Sequence, residues 1–291
     1  MPTYTTRFFM GVVVIGAGSQ IGHFLVRRLL EQQQQIWAVS RRPRQSSHPA
    51  LHWLHGGLPA MPSLQHTQAR ALVSFGPLEA LAEWLASLET APVARVVATS
   101  SMSIVSKTGS SDAGELGIVR RLHAGEAGLA RECDRLGIGW TVLRPTLVYG
   151  AGLDKSLTPF ARRARRWRLF PLPAASGLRQ PVHADDIAQA ALAALDEPLS
   201  EGKTLQIGGG ERLAYREMFG RVRKSLGVAT VPLPVPRFAL ALLARLRPAA
   251  VGPVSRLEHD LVADNSELER LLGVHPRPFR PQASMWEPVS D

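Results

Sequence analysis

The sequence has very little cysteine and no long apolar run, and both absences restrict what the protein can be. Its single cysteine, Cys133, excludes any intrachain disulfide and any zinc site built from several cysteines. This favours a reducing compartment, and we expect the cytoplasm. No stretch is long and apolar enough to span a bilayer. An apolar content of 45% and a charged content of 20% over 291 residues are typical of a soluble globular protein.

Lysine is also rare, although the chain is strongly basic. The net charge is +10, and 34 residues are Lys or Arg. Such an excess favours anionic partners, such as a phosphate-bearing cofactor, an anionic small-molecule substrate or acidic lipid. The charge is dispersed and no aromatic-studded binding sheet is visible, so we expect no nucleic-acid partner. The four lysines are Lys107, Lys155, Lys203 and Lys224.

Short apolar runs alternate with helical patterns through the first half of the chain. Val12–Ile15, Ile36–Val39 and Arg95–Thr99 read as buried strands, and weaker runs occur at 51–54 and 71–75. This alternation predicts an α/β fold, a Rossmann-type doubly wound parallel sheet with a smaller, mostly helical C-terminal region. The predicted core spans residues 8–150, completed by 182–208, and the predicted substrate-binding cap spans 151–181 and 209–291.

The second half is predicted to be mainly helical, with one returning strand. Helices are expected near 157–168, 187–195, 238–246 and 265–272, and Lys203–Ile207 reads as a strand. Asp185 or Asp186 could cap the helix at 187–195. A Pro/Gly/Ser loop is expected after the helix near 157–168 and before Val182, and the tail contains the proline-rich segment Pro232-Leu233-Pro234-Val235-Pro236.

A glycine-rich turn connects the first strand to the first helix. It reads Gly16-Ala17-Gly18-Ser19-Gln20-Ile21-Gly22. Gly16 would make the turn, Gly18 would let backbone N–H groups approach a pyrophosphate, and Gly22 would let the helix pack on the sheet. Because a strand precedes the turn and a helix follows it, the segment predicts a dinucleotide site. The alternative is a tight turn that binds no ligand.

The end of the second strand predicts which dinucleotide binds. An NAD site needs a carboxylate there for the ribose 2′-hydroxyl group, but no Asp or Glu occurs between Gln32 and Leu78. Instead the strand ends in Ser40-Arg41-Arg42, with Arg44 nearby. Guanidinium groups bind phosphate well, so these residues predict NADP in preference to NAD. The alternative is solvated arginines after a strand.

Several further segments occur in a characteristic order along the chain. They are Thr99-Ser100-Ser101, Arg144-Pro145-Thr146-Leu147-Val148-Tyr149-Gly150, Arg179-x-x-Val182-His183-x-Asp185-Asp186, and Leu271-Leu272-Gly273 followed by Pro276-Arg277-Pro278-Phe279. Together with the glycine turn, they resemble the extended or atypical short-chain dehydrogenase/reductase superfamily, in its NAD(P)-dependent epimerase/dehydratase branch. The resemblance implies that Phe75, Thr99 and Pro145 contact the cofactor. It also implies that Ser101 is the catalytic Ser/Thr and that Ser101, Thr146 and Arg179 contact the substrate. Arg179 would meet the phosphate of a sugar nucleotide.

The chain departs from this family at the residues that move the proton. The family carries a Tyr-x-x-x-Lys pair on the helix after the fifth strand, with a Glu four residues beyond the Lys. None of the three tyrosines here has a lysine four residues later. Aligning Glu126 with the family Glu places Leu122 and Ile118 at the Lys and Tyr positions. His123 is the candidate substitute acid, and the alternative is a partly buried histidine with a local hydrogen bond.

Two segments of the predicted cap could bind anions or lipid. Five arginines occur within 162–168, where they could bind a diphosphate or anionic lipid headgroups, or form a solvated helix face. The apolar helix at 238–246 could lie on a membrane, and we favour the alternative that it packs into the cap.

Two functional hypotheses follow. The first is an NADP-binding epimerase/dehydratase or reductase that acts on a sugar-nucleotide or other carbonyl or hydroxyl substrate with an unusual proton donor. The second is an NADP-binding sensor or assembly subunit that has lost the chemistry. Peripheral contact with a membrane is compatible with either. The sequence predicts no metal site and does not define the oligomeric state.

Overall fold

A parallel β-sheet of seven strands lies at the centre of the fold. The structure is a computed structural model that describes residues 11–46, 48–110, 112–246 and 257–289. The strands of the sheet are β1 (Gly11–Ile15), β2 (Ile36–Ser40), β3 (Leu51–His55), β4 (Ala69–Ser74), β5 (Arg95–Thr99), β6 (Gly139–Pro145) and β11 (Lys203–Ile207). Their spatial order is β11-β6-β5-β4-β1-β2-β3, and every neighbouring pair runs parallel. In such sheets, ligands bind at the carboxyl ends of the strands where the strand order reverses, which here lies between β1 and β4.

Helices cover both faces of this sheet. One face carries α1 (Gln20–Glu31), α6 (Ala184–Asp196) and α9 (Ser266–Leu272), and the other carries α2 (Leu78–Ala86) and α4 (Ala113–Leu136). Alternate residues of β1 contribute to the two cores: Val12 and Val14 to the first, and Val13 and Ile15 to the second. The strand is buried on both sides, which explains its continuous apolar sequence. The predicted doubly wound fold is confirmed.

Within the residues that the structure describes, the cap contains three α-helices and three pairs of short strands. Its core includes the buried side chains of Phe170, Phe219 and Trp286, and the Trp286 indole N–H donates to Ser225 Oγ at 2.8 Å. The helices are α5 (Leu157–Trp167), α7 (Tyr215–Lys224) and α8 (Arg237–Leu246). The strand pairs are β7 (Val148–Tyr149) with β10 (Val182–His183), β9 (Leu178–Arg179) with β12 (Leu213–Ala214), and β8 (Leu169–Pro173) with β13 (Val231–Val235). A four-residue turn, α3 (Ser103–Ser106), follows β5.

The β8–β13 pair was not predicted, because both of its strands contain two prolines. The Val231 N–H donates to the Arg168 carbonyl at 2.8 Å, and the Ala174 N–H donates to the Val235 carbonyl at 2.9 Å. Since successive residues of a strand direct their N–H groups to opposite sides, the prolines occupy the positions that face away from the partner strand. Those four residues are Pro171, Pro173, Pro232 and Pro234. Proline therefore removes no hydrogen bond from this ladder.

The helix after β10 begins earlier than the sequence indicated. Neither Asp185 nor Asp186 is its N-cap, because α6 starts at Ala184 and both aspartates lie in the first turn. His183 is the cap, and its ring Nδ1 accepts the Asp185 N–H at 3.1 Å. The carboxylates are instead paired with arginine: Arg277 Nε lies 2.7 Å from Asp186 Oδ1, and its Nη2 lies 2.7 Å from Asp185 Oδ2.

Parts of the predicted ranges lie outside the described residues, namely 8–10, 47, 111, 247–256 and 290–291. Within the ranges that the structure describes, no helix combines the length and the apolar character needed to cross a membrane. On α8, Phe238, Leu242 and Leu246 are exposed and recur at every fourth position, so they lie on one side of the helix. Contact of this helix with a membrane surface stays a prediction.

Candidate functional site

The glycine turn between β1 and α1 has a tightly packed backbone. Gly16 has φ +80°, and the Ser19 N–H donates to its carbonyl at 2.9 Å. Ser19 is the N-cap of α1, and its hydroxyl accepts the Gly22 N–H at 3.1 Å. A Cβ atom at Gly22 would lie only 2.2 Å from the Gly16 carbonyl oxygen. The helix can therefore approach the turn this closely only because residue 22 is glycine.

One cavity, of about 390 Å³, opens between this turn and the carboxyl end of β2. Ser40, Arg41 and Arg44 line it, together with Phe75 after β4. The Arg44 guanidinium lies over the Trp53 ring, 5.0 Å from its centroid. A Cβ atom at Gly18 would stand 3.1 Å from Arg44 Nη2, so a larger residue at 18 would narrow the space between the turn and this guanidinium. Glycine at 16 and 18 together with the nearby guanidinium groups fits a phosphorylated dinucleotide.

A second, larger cleft of about 1170 Å³ lies between the carboxyl end of the sheet and the cap. Gly18 and Ser19 line both cavities, so the two spaces meet at the glycine turn. Gln20, Ser101, Thr146 and Arg179 also line the cleft. Six residues predicted from sequence thus surround one space at the switch point of the sheet.

Three of these side chains are held by hydrogen bonds to backbone groups. Ser101 Oγ accepts the Ser103 N–H at 3.1 Å, and the Thr146 hydroxyl donates to the Gln180 carbonyl. Buried Arg179 donates from Nη1 to the Leu178 and His259 carbonyls, each at 2.7 Å. Its guanidinium also lies over the Tyr215 ring, 5.0 Å from the centroid.

Several other predicted site residues do not reach either cavity. Ile21 is buried in the apolar core, where it packs α1 against the sheet. Arg42 is exposed and lies outside both cavities, with its N–H donating to Ser40 Oγ at 3.2 Å. Thr99 and Pro145 end β5 and β6, and they line neither space.

The candidate acid His123 also lies away from the cleft. It is exposed on α4, whereas Val119, Glu126 and Leu129 of the same helix are buried. Glu126 anchors α4 to β6, because both of its carboxylate oxygens accept from the Arg144 guanidinium, with Nε–Oε1 at 2.9 Å. This phase of the helix leaves the His123 imidazole in solvent, so it cannot protonate a ligand in the cleft.

Tyr149 of the cap core packs against His183, the N-cap of α6. Their rings meet edge to face at 5.1 Å between centroids, and both side chains are almost fully buried. Burial raises the pKa of the Tyr149 hydroxyl. Burial, followed by the nearby Arg277 charge, lowers the pKa of His183 to about 4. A neutral histidine fits its role as the N-cap of α6, because the cap needs an acceptor nitrogen.

Sequence reasoning missed Lys107, which lines the cleft with Ser101, Ser103 and Ser106. Its ammonium nitrogen lies 3.5 Å from Glu115 Oε1, and both side chains are buried. The signal that could have identified Lys107 is its rarity, since it is one of four lysines beside 30 arginines. Among the described residues, no cluster of three or more His, Cys, Asp or Glu side chains could hold a metal ion.

The chain matches one protein family by sequence. Residues 78–208, from the start of α2 to the residue after β11, match the NAD dependent epimerase/dehydratase family. This range includes Ser101, Thr146 and Arg179 of the cleft. No curated protein is similar enough in sequence to count as a relative of this chain.

Solved structures with the same fold cover nearly the whole chain. MoeE5 in complex with UDP-glucuronic acid and NAD is 19% identical with a TM-score of 0.74, covering 95% of this chain and 98% of its own. UDP-glucuronic acid 4-epimerase from Bacillus cereus in complex with NAD is 13% identical with a TM-score of 0.73, covering 95% and 96%. A double mutant of DesIV, a dTDP-glucose 4,6-dehydratase from Streptomyces venezuelae with NAD bound, is 18% identical with a TM-score of 0.72, again covering 95% and 96%.

The sequence match and the fold agree with the resemblance inferred from the motifs. The matched range contains the strand-five serines, the Arg-Pro segment and the segment that returns to the sheet. The fold likeness covers 95% of the chain, whereas the sequence match covers residues 78–208 only. By sequence, the similarity to the NAD dependent epimerase/dehydratase family covers residues 78–208.

Proposed function

We propose that this protein binds NADP in preference to NAD and uses it on a carbonyl- or hydroxyl-bearing substrate. The observation that carries the proposal is that the two cavities meet at Gly18 and Ser19. A dinucleotide with its pyrophosphate on this turn would extend its adenosine half into the smaller cavity and its nicotinamide half into the larger cleft. When bound, the cofactor would accept or supply a hydride at the nicotinamide end.

The charges around the smaller cavity support NADP. Arg41 and Arg44 line it beside the Ser40 hydroxyl, and the sequence from 33 to 77 contains no carboxylate. An added 2′-phosphate would therefore meet donors and positive charge, without a nearby acid to repel it. Arg44, rather than Arg42, is the second arginine of this site.

The preference is testable by replacing these arginines. We expect the unaltered protein to bind NADP more tightly than NAD, and Arg41→Ala or Arg44→Ala to weaken NADP binding roughly 10- to 100-fold, with NAD affinity nearly unchanged. This range corresponds to losing a charge-assisted hydrogen bond, about 1.5–3 kcal/mol. Isothermal titration calorimetry with both dinucleotides gives the two affinities.

Arg42→Ala is the matched control, because Arg42 neighbours Arg41 in sequence but lies outside both cavities. It removes the same charge and should leave the preference for NADP intact. Equal affinities for NADP and NAD in the unaltered protein would contradict the proposal. An equal loss of NADP affinity in all three variants would show that the arginines act only through the net charge of the protein.

The substrate is proposed to be anionic, with a sugar nucleotide as the leading class. The cleft is large, Arg179 and Lys107 bring positive charge to its wall, and solved structures of the same fold contain UDP- or dTDP-sugar enzymes. The alternative is a protein that binds NADP without chemistry, since Ile118 and Leu122 occupy the Tyr and Lys positions.

A catalytic test separates these alternatives. If the protein is an enzyme, we expect NADPH absorbance to fall with at least one member of a panel of carbonyl compounds and keto-sugar nucleotides. We also expect Ser101→Ala to slow that reaction by roughly 100-fold or more, because one positioned donor contributes about that factor. Tight NADP binding without turnover of any panel member would favour the sensor or assembly role.

A further inference from the structure

The segment that follows β5 places a lysine in the wall of the cleft. Lys107 comes directly after the α3 turn, and its backbone N–H donates to the Ser103 carbonyl at 3.2 Å. The hydroxyl-bearing residues Ser101, Ser103 and Ser106 line the same part of the cleft. Lys107 is buried, whereas the other cleft lysine, Lys155, is exposed.

The position of the Lys107 ammonium is set by Glu115 in the first turn of α4. The two charged groups are 3.5 Å apart. The Glu115 N–H donates to Asp112 Oδ1 at 2.9 Å, and its carboxylate accepts from Ser110 Oγ at 2.8 Å. Glu115 is therefore held by the helix cap on its backbone and by a hydroxyl on its side chain.

A structural role alone explains this pair poorly. Burying two charges costs more than burying apolar groups of the same size, so an ion pair is seldom the most stabilising way to close a loop. An ammonium also has three N–H donors, and Lys107 meets Glu115 as an ion pair at 3.5 Å. Lys107 also lines the cleft, where a bound ligand would meet its side chain.

We propose that Lys107 is a catalytic residue of this protein: its ammonium contacts the nicotinamide half of the cofactor and protonates the substrate oxygen beside Ser101. The proposal rests on the NADP function proposed above. It assigns to a loop lysine the charge that the family's helical Lys would supply, where this chain has Leu122. Glu115 is the positioning residue, because it acts on the site through its ion pair with Lys107.

The proton balance of the step is simple. A carbonyl carbon that receives a hydride from reduced nicotinamide loses its C=O π bond, and its oxygen needs one proton. That proton leaves Lys107 Nζ as the O–H bond forms, and water in the open cleft returns a proton to the amine. In the direction of alcohol oxidation, the neutral amine accepts the hydroxyl proton.

The scarcity of lysine makes the contact directly observable. Protein grown with lysine carrying ¹³C at Cε should give four side-chain NMR signals, and Lys107→Arg assigns one of them. The probes are NADP and 2′,5′-ADP, which carries the adenosine half and the 2′-phosphate only. We expect NADP to shift the Lys107 signal and 2′,5′-ADP to leave it in place. Neither probe should shift the Lys203 signal, because Lys203 begins β11 and the cleft lies at the carboxyl end of the sheet.

The possible outcomes separate this inference from the function on which it rests. If calorimetry detects NADP binding but the Lys107 signal does not move, the inference is wrong and the NADP function stands. If both probes shift the signal equally, binding affects Lys107 indirectly through a change in the protein structure. The proposed contact between Lys107 and the nicotinamide half is then also wrong. If calorimetry detects no NADP binding, the proposed function fails and this inference fails with it.

Variants test the chemical role without leaving a buried unpaired charge. Lys107→Met combined with Glu115→Gln removes both charges, and Lys203→Met is the control on an exposed lysine. We expect the double variant to bind NADP about 10-fold more weakly and 2′,5′-ADP equally well. On a carbonyl compound that the protein reduces, its kcat should fall by about 100-fold or more. Unchanged NADP affinity with unchanged kcat would overturn the assignment.

Discussion

Replacement of Gly22 by alanine is expected to abolish measurable dinucleotide binding and to destabilise the fold. The new Cβ would stand 2.2 Å from the Gly16 carbonyl oxygen and 2.7 Å from the Ala17 Cα, distances that force the backbone to move. The movement would break the bond from the Gly22 N–H to Ser19 and displace the turn on which we place the pyrophosphate. We expect at least roughly 100-fold weaker NADP binding and a loss of about 2 kcal/mol in unfolding free energy.

Gly220→Ala provides the matched control. Gly220 lies within α7, and among the described residues a Cβ there would meet no atom within 4 Å. Because alanine favours a helix interior over glycine, this variant should gain roughly 0.5–1 kcal/mol and bind NADP normally. Calorimetric titration and urea unfolding provide both quantities. Normal NADP affinity in Gly22→Ala would show that the turn does not hold the cofactor.

The second large effect is a loss of stability as the pH falls from about 6.5 to 4. The pKa of His183 is lowered by burial from 6.5 to about 4 in the folded protein. Over this range the unfolded chain takes up a proton that the folded protein does not, so stability decreases with decreasing pH and is unaffected by this group above 6.5. The difference of about 2.5 pH units corresponds to roughly 3 kcal/mol at the acid end.

Protonation of His183 also removes a specific interaction. A charged imidazole has no acceptor nitrogen, so it could not accept the Asp185 N–H that begins α6. Urea midpoints measured from pH 7 to 4.5 should show the loss. His183→Asn keeps a capping oxygen but does not titrate, so it should be less stable at neutral pH and flatter across this window. His275→Asn, at an exposed histidine, should retain the original slope, and a flat profile in the unaltered protein would contradict the assignment.

Much of the sheet was predictable because its strands are buried on both faces. β1 and β5 read as buried segments of strand length, and Lys203–Ile207 read as a returning strand; the structure places all three within one residue of the predicted limits. The glycine turn was predictable for a related reason: its spacing has meaning only between a strand and a helix, and both neighbours could be recognised. The order of the motifs then indicated the family.

The cap was less predictable because its features depend on distant partners. Neither β8 nor β13 was predicted as a strand, since a proline is compatible with a strand only where its nitrogen faces away from the partner, and the partner is not visible in the sequence. His183 replaced the aspartates as the cap because tertiary contacts with Arg277 recruited the two carboxylates.

The candidate site divides in the same way. Gly18, Ser101 and Arg179 lie in motifs whose positions relative to the sheet are fixed by their strands. Lys107 belongs to no motif, and its place in the cleft depends on a carboxylate eight residues later, across a loop. His123 was a reasonable acid by chemistry alone, but the helix phase set by Glu126 and Arg144 turns it to solvent.

The two-stranded ribbon of the cap has outer edges that cannot readily recruit another chain. Pro171 and Pro173 face outward from β8, and Pro232 and Pro234 face outward from β13. An incoming strand needs N–H donors along the edge that it joins, and these positions have none. The prolines that prevented prediction of these two strands from the sequence therefore also protect the ribbon against intermolecular sheet extension, which is a common route to aggregation.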